Sequence, residues 1–169
     1  DPDLKRVVYT NNEAQQPSLG IALVEFGDTQ MDWEELNHLS GEAIRIDDIM
    51  LSLSGLIEAG DFRTLTSPET VDPKRATDWW LAEVNASIEN ARDSDIMIYV
   101  HGAKVDFYNA CIFAAQLDHF MGRDMTSIAF SWPTRQNIFA YGFGGDLARA
   151  YNSAGTLADL LELLATETS

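Results

Sequence analysis

The sequence predicts an α/β fold in which helices cover a mostly parallel sheet, and three observations support this prediction. Short apolar runs alternate with longer amphipathic stretches along the chain. The run "IMIYV", Ile96 to Val100, is typical of a central strand covered on both faces. A chain of 169 residues with 46% hydrophobic residues has the size and composition of one domain, which we expect to span residues 1–169.

Residues 1–72 are predicted to hold N-terminal strands and an irregular segment. The runs "KRVVYT", residues 5–10, and "LGIALVEFG", Leu19 to Gly27, predict two strands. Because the polar stretch "NNEAQQPS" between them favours a turn, an early hairpin or meander is expected. From Met31 to Asp72 the pattern is weaker, and "AIRIDDIMLSLSGL" is compatible with strand, helix or both. We therefore treat that part as irregular.

Residues 73–169 predict a helix–strand–helix–strand–helix core. "IMIYV" and "SIAFSWP" are its strands, and Pro133 ends the second. The middle helix should end at Gly122. The helices are identified by apolar residues at helical spacing. The predicted stripes are Ala76, Trp79, Trp80, Val84, Ser87 or Ile88, and Ala91 on the first helix; Phe107, Ala110, Cys111, Ala114, Leu117 and Met121 on the second; and Leu147, Tyr151, Ala154, Leu157, Leu161 and Leu164 on the third.

Two short motifs follow the two strands of this core. His101-Gly102 comes after the first strand, and Ser131-Trp132-Pro133 comes at the end of the second. Parallel strands joined by right-handed crossovers have their carboxyl ends at one edge, so we expect the motifs to lie near each other. A glycine there lets backbone N–H groups turn toward an oxyanion. By itself, a His-Gly after a strand is more often only a turn.

Composition excludes several classes of function. The formal charge of −16, from 27 acidic and 11 basic residues, disfavours nucleic acid and anionic lipid, which bind clustered Lys and Arg. The single cysteine, Cys111, excludes an internal disulfide and a multi-thiolate metal site. His38 and His119 have no partners at metal-ligand spacing, so no metal or cofactor is expected.

The sequence leaves localisation open. No apolar run approaches the ~20 residues that span a bilayer, so no membrane span is expected. The N-terminal "DPDLKR" lacks the apolar core of a signal peptide, although a leader already removed would leave no trace.

The stretch from "YVHGAKVDFYNACIFAAQLDHF" through "FSWPTRQNIFAYGFGGD" to the last helix resembles a bacterial family of alpha/beta-hydrolase-fold proteins of long unassigned function. That family has a strand ending in His-Gly-Tyr-Asn and an alanine-rich helix with Gln-Leu. Phe-Ser-Trp-Pro-Ser follows, and then Tyr and Asp precede a long helix. This chain resembles the family's N-terminal half, best from about Asp72 to Leu164. The implied fold is a three-layer alpha/beta-hydrolase-like sheet that lacks the nucleophile strand and the later strands.

The resemblance also implies site residues. His101 and Gly102 match the family's His-Gly and would support the turn. Ala103 takes the position whose backbone N–H would serve the oxyanion hole. Three positions depart from the family: Ala103-Lys104 replaces Tyr-Asn, Thr134 replaces Ser, and the gap from Tyr141 to Asp146 is longer. The substrate-binding residues implied are Lys104, Ser131, Trp132 and Tyr141, with a solvated lysine as the alternative for Lys104.

In this fold the nucleophilic serine lies in a Gly-x-Ser-x-Gly turn on the strand after the long helix, and Asp and His follow. The sequence reaches "ATETS" before such a strand. The resemblance therefore implies that a C-terminal segment or a second polypeptide carries the triad, the latter making a heterodimer. "YNSAG" around Ser153 has half of that motif, but a helix interior is the better interpretation.

Two functional hypotheses follow. The first is the N-terminal part of a serine hydrolase, esterase-like or lipase-like, which supplies an oxyanion hole and a pocket wall and is inactive alone. Its partners would be the complementary C-terminal segment and a small ester or acyl substrate. The alternative is a non-catalytic α/β binding or scaffold module.

Overall fold

A computed structural model of the protein describes residues 9–14, 16–27, 32–41, 51–62, 73–135, 137, 139, 143 and 145–168. Helices and strands are mixed within these residues, and the predicted α/β class is confirmed. The elements are β1 (Ser18–Phe26), α1 (Trp33–Gly41), β2 (Leu51–Asp61), α2 (Pro73–Asn90), β3 (Ile96–Val100), α3 (Phe107–Phe120), β4 (Thr126–Phe130) and α4 (Gly145–Glu167).

The first two strands form an antiparallel pair, called here the ribbon, which runs from Ser18 opposite Asp61 to Phe26 opposite Leu51. Its register shifts between Leu19 and Gly20, where a Cβ on Gly20 would lie only 2.6 Å from a carbonyl oxygen of the opposite strand. A glycine is therefore required at this close approach.

The ribbon corrects one prediction, and a second prediction lies largely outside the described residues. The segment from Met31 to Asp72 was predicted to be irregular, but it contains α1 and the eleven residues of β2. The strand predicted at residues 5–10 lies outside the described residues up to residue 8, and Tyr9 and Thr10 have no regular structure. Within the described residues, β1 pairs with β2. The two strands are separated in the chain by α1, so they do not form a short hairpin.

Strands β3 and β4 are parallel, with Ile96 opposite Thr126 and Val100 opposite Phe130. Their carboxyl ends consequently lie at the same edge, as the crossover pattern predicted. Helix α3 connects them. It begins after Asp106, whose carboxylate accepts a hydrogen bond from the backbone N–H of Asn109 at 2.8 Å.

The buried faces of the helices differ in part from the predicted stripes. On α2 the buried residues include Leu81, and Trp79 is 38% exposed although it was predicted to be in the stripe. On α3 the predicted Leu117 and Met121 are exposed. None of the described helices is long and apolar enough to cross a lipid bilayer. The buried hydrophobic cluster comprises Leu19, Phe62, Trp80, Leu81, Val84, Ile88, Ile128, Leu160 and Leu164.

Helix α4 buries a face that differs in part from the predicted one. Of the predicted stripe, Leu164 is buried as expected, whereas Leu147, Tyr151 and Leu161 are exposed; the buried Leu160 was not in the stripe. The helix carries two apolar stripes with the same period. Only packing against its neighbours decides which of them is covered.

Candidate active site

The two loops that follow β3 and β4 are joined through one histidine. We call residues 101–105 and 131–135 together the rim. His101 is 2% exposed, and its Nε2 accepts a hydrogen bond from the backbone N–H of Trp132 at 3.0 Å. The indole Nε1–H of Trp132 in turn donates to the carbonyl oxygen of His101 at 2.7 Å. The sequence-based expectation that the two motifs lie close together agrees with these contacts.

The contacts of His101 define one tautomer. Because Nε2 accepts from Trp132, the ring proton belongs on Nδ1, which lies 2.8 Å from the carbonyl oxygen of Gly102 and donates to it. The hydroxyl of Ser131 lies 3.3 Å from Nε2 as a second donor. Both ring nitrogens are thus engaged in holding backbone, and the ring stacks on Trp132 at a centroid distance of 5.3 Å. This arrangement leaves neither nitrogen placed to act as a general base.

After His101 the chain makes a tight turn through Gly102, Ala103 and Lys104. Lys104 has a φ of 65°, in the left-handed region that few residues other than glycine and asparagine adopt. Its side chain is exposed. None of the described residues accepts a hydrogen bond from the backbone N–H of Ala103. Within the described part of the chain, this donor therefore remains available to an anionic or carbonyl oxygen.

Two further residues support the rim, and the sequence did not identify their roles. Thr134 is fully buried, and its hydroxyl donates to the carbonyl oxygen of Val105 at 2.9 Å. The substitution of Thr for the family's Ser keeps this hydroxyl. Asp146, also fully buried in the first turn of α4, accepts a hydrogen bond from the backbone N–H of Arg135 at 3.0 Å. Its position in the resemblance was the one signal that pointed to it.

A cavity of about 1360 Å³ lies between the ribbon and β4. Ser131 and Trp132, two of the predicted substrate-binding residues, are part of its wall. Lys104 is not among the described residues that line it, and Tyr141 lies outside the described residues.

The environment of the cavity changes the acidity of two groups in its wall. Burial raises the pKa of the Cys111 thiol to about 11, which keeps this thiol protonated at neutral pH. Burial, followed by the nearby carboxylate of Glu58, raises the pKa of Tyr9. The ring of Tyr9 stacks on Phe107 with centroids 4.2 Å apart.

The described residues contain no group of three or more His, Cys, Asp and Glu side chains arranged to hold a metal ion. His119 instead packs its ring against Phe26, with centroids 4.9 Å apart.

Comparison with known families places this rim in an alpha/beta hydrolase. The family model that matches, over residues 76–169, is described as alpha/beta hydrolases of unknown function (DUF900). The chain belongs to this family, and the match covers α2 through α4 with both loops of the rim. The resemblance to a hydrolase family of unassigned function is therefore confirmed. No curated protein and no solved structure matches the chain.

Proposed function

We propose that this chain supplies the oxyanion hole and part of the pocket wall of a serine hydrolase that cleaves carboxylic esters. The backbone N–H of Ala103 is the oxyanion donor. Ser131 and Trp132 form the wall beside it, with Lys104 and Tyr141 as further substrate contacts. The nucleophilic serine, in a Gly-x-Ser-x-Gly turn, and its Asp and His belong to a complementary C-terminal segment or a second chain.

The observation that carries this proposal is the double hydrogen bond between His101 and Trp132. An oxyanion donor stabilises a transition state only if it is held in place before the reaction. Each of the two loops anchors the other through buried bonds of 3.0 and 2.7 Å, and the Ala103 N–H follows two residues after His101. This turn is thereby pre-organised without using the N–H itself.

The chemistry follows from this arrangement. A serine hydroxyl would attack the ester carbonyl, and the alcohol would leave as an acyl-serine forms. The carbonyl oxygen becomes an oxyanion during the attack, and backbone donors bind it more strongly than they bind the neutral ester. One such donor typically contributes about 3 kcal/mol to lowering the barrier. His101 acts in this scheme as a positioning residue, since its two nitrogens already bind backbone groups.

Removing the donor without removing the turn tests the proposal. Ala103→Pro deletes the N–H, and Ala103 is not among the described residues with a positive φ, so the fixed negative φ of proline suits this position. Measured on the protein together with the polypeptide that carries Gly-x-Ser-x-Gly, its kcat on a short p-nitrophenyl ester should fall about 10²–10³-fold. Ala103→Ser, which keeps the N–H, should change kcat by less than about threefold.

A fluorophosphonate probe separates this function from the non-catalytic alternative. Labelling of a serine in the Gly-x-Ser-x-Gly polypeptide is expected, and it should slow in Ala103→Pro. Should a complete and folded assembly remain unlabelled, the chain is a binding or scaffold module. Equal kcat values for Ala103→Pro and Ala103→Ser would show that Ala103 is not the oxyanion donor.

A further inference from the structure

The cavity between the ribbon and β4 is a large cleft that is partly open to solvent, and Leu23 in its wall is 49% exposed. Its volume of about 1360 Å³ exceeds the roughly 300–1,000 Å³ of pockets that enclose drug-sized ligands. Residues of β1, α2, α3, β4 and α4 contribute to its wall. Because the cleft is open on one side, a ligand can enter it from solvent.

The middle of the cavity is apolar. Cys111, Ala114 and Ala115 present small side chains from α3, and Ile128 and Trp80 face the same space from β4 and α2. The raised pKa of Cys111 indicates that this space disfavours a charged group. Because the residues on α3 are small, their face of the cavity leaves room for a chain of methylene groups.

The charges around the cavity are mostly negative. Glu13, Glu25, Glu83 and Asp118 are acidic residues in its described wall, and Arg123 is the only basic residue among the described residues there. Arg123 lies over the ring of Phe26, 5.3 Å from its centroid. A neutral apolar ligand is therefore favoured over a carboxylate of the same length.

One part of the cavity wall belongs to the rim. Ser131, Trp132 and Pro133 line the cavity, and Trp132 is bound to His101 through the two hydrogen bonds described above. At another part of the wall, Tyr9 stacks on Phe107, the first residue of α3. The apolar space is thus continuous with the residues that flank the Ala103 turn.

We propose that this cavity binds the long apolar acyl chain of an uncharged ester, whose carbonyl lies at the rim. The inference rests on the proposed function for the position of the carbonyl, whereas chain binding by the cavity stands without it. The substrate class is therefore neutral long-chain esters.

Binding can be measured without any turnover. Dansyl dodecylamide, a neutral probe, should bind with a blue shift and gain of its fluorescence. Dansylaminoundecanoate, which carries the same fluorophore and a carboxylate, should bind about tenfold more weakly because of the acidic wall. A probe bound in the cavity should also protect the Cys111 thiol from alkylation. When the concentration of the neutral probe is ten times its Kd, alkylation of this thiol at mildly alkaline pH should slow about tenfold.

A pair of variants tests the location. Ala114→Phe places a ring in the cavity and should weaken the neutral probe about tenfold or more. Ala158→Phe adds the same ring at an exposed position of α4 outside the described lining and should leave the affinity unchanged. If Ala114→Phe fails to fold, the protection of Cys111 in the unmodified protein still decides the question.

The outcomes separate the two proposals. Probe binding with protection of Cys111 supports the acyl-chain cavity even if no ester is hydrolysed, in which case only the proposed function fails. Hydrolysis of short and long esters at equal kcat/KM, with no probe binding, overturns the cavity proposal and leaves the proposed function intact. Equal affinity of the two probes would overturn the preference for a neutral ligand.

Discussion

The rim and the ribbon are held together in different ways. In the rim, buried side chains bind backbone groups of the other loop: the His101 ring binds the Trp132 N–H, and the Thr134 hydroxyl binds the Val105 carbonyl. The His101 and Thr134 side chains are at most 2% exposed. In the ribbon, the strands are joined by their backbone ladder, and side-chain bonds such as that from the Ser54 hydroxyl to the Leu23 carbonyl are exposed.

This difference has consequences for stability and for function. A backbone ladder tolerates most side chains, whereas a buried polar contact leaves an unpaired group when one partner is removed. Loss of a buried polar side chain should therefore be costly in the rim, whereas loss of an exposed hydroxyl should be nearly neutral in the ribbon. The candidate site lies in the part of the chain that depends on particular side chains, and the family match covers that part but not the ribbon.

The largest effect is expected at His101. His101→Ala leaves the Trp132 N–H buried without an acceptor and removes the bond to the Gly102 carbonyl, so the free energy of unfolding should fall by about 3 kcal/mol. Urea unfolding followed by tryptophan fluorescence measures it. Ser54→Ala is the matched change in the ribbon and should cost less than about 0.5 kcal/mol. Similar costs for the two variants would refute the contrast.

The next effect concerns Cys111, on the helix that follows the rim and contacts both β4 and β2. Its pKa is raised from 9.0 to about 11, so the folded protein keeps a proton that the unfolded chain releases. This contribution is fully present below pH 9.0 and is lost as the pH rises toward 11, roughly 2–3 kcal/mol in total. Cys111→Ala should lack this part of the pH dependence. If the free energy of unfolding of Cys111→Ala and of the unmodified protein changes in parallel between pH 9 and 11, the prediction is wrong and water reaches the thiol.

A smaller loss is expected at Thr134. Thr134→Val keeps the shape and removes the hydroxyl, so the Val105 carbonyl loses its donor and the free energy of unfolding should fall by about 1–2 kcal/mol. Ser18→Ala removes an exposed hydroxyl of the ribbon and should cost under about 0.5 kcal/mol. Thermal unfolding of the two variants compares them directly. A silent Thr134→Val would mean that the two rim loops do not need this bond.

The smallest effect is a gain at Lys104. Its φ of 65° is costly for lysine, and asparagine adopts this conformation more readily. Lys104→Asn should raise the free energy of unfolding by about 0.5–1 kcal/mol. Lys104→Ala removes the same charge but keeps the backbone cost, so it should give no gain. If both variants are equally stable, the turn does not hold its left-handed conformation in solution.

Local patterns were sufficient for much of the second half of the chain. The unbroken apolar run of β3, the helical spacing in α2 and α3, and the signals at Gly122 and Pro133 are properties of neighbouring residues. They predicted elements that the structure contains. The crossover rule then predicted that the motifs after β3 and β4 meet, since parallel strands align their carboxyl ends.

Local patterns did not predict which strands pair or which face of each helix is buried. The pairing of β1 with β2 depends on where α1 places the chain. The weak pattern from Met31 to Asp72 did not reveal β2 as a strand. The roles of Thr134 and Asp146 depend on which carbonyl or N–H group lies opposite them.

The sequence by itself determined the order of elements from α2 onward and the two motifs that end β3 and β4, because both depend on local periodicity and on the chemistry of His-Gly and Ser-Trp-Pro. Only the tertiary structure decided that Leu160 joins the predicted Leu164 on the covered side of α4, while Leu147 and Leu161 are exposed. It also decided that both nitrogens of His101 bind backbone. The physical reason is that a repeating pattern defines the spacing of a stripe, while the neighbouring elements determine which stripe loses contact with water.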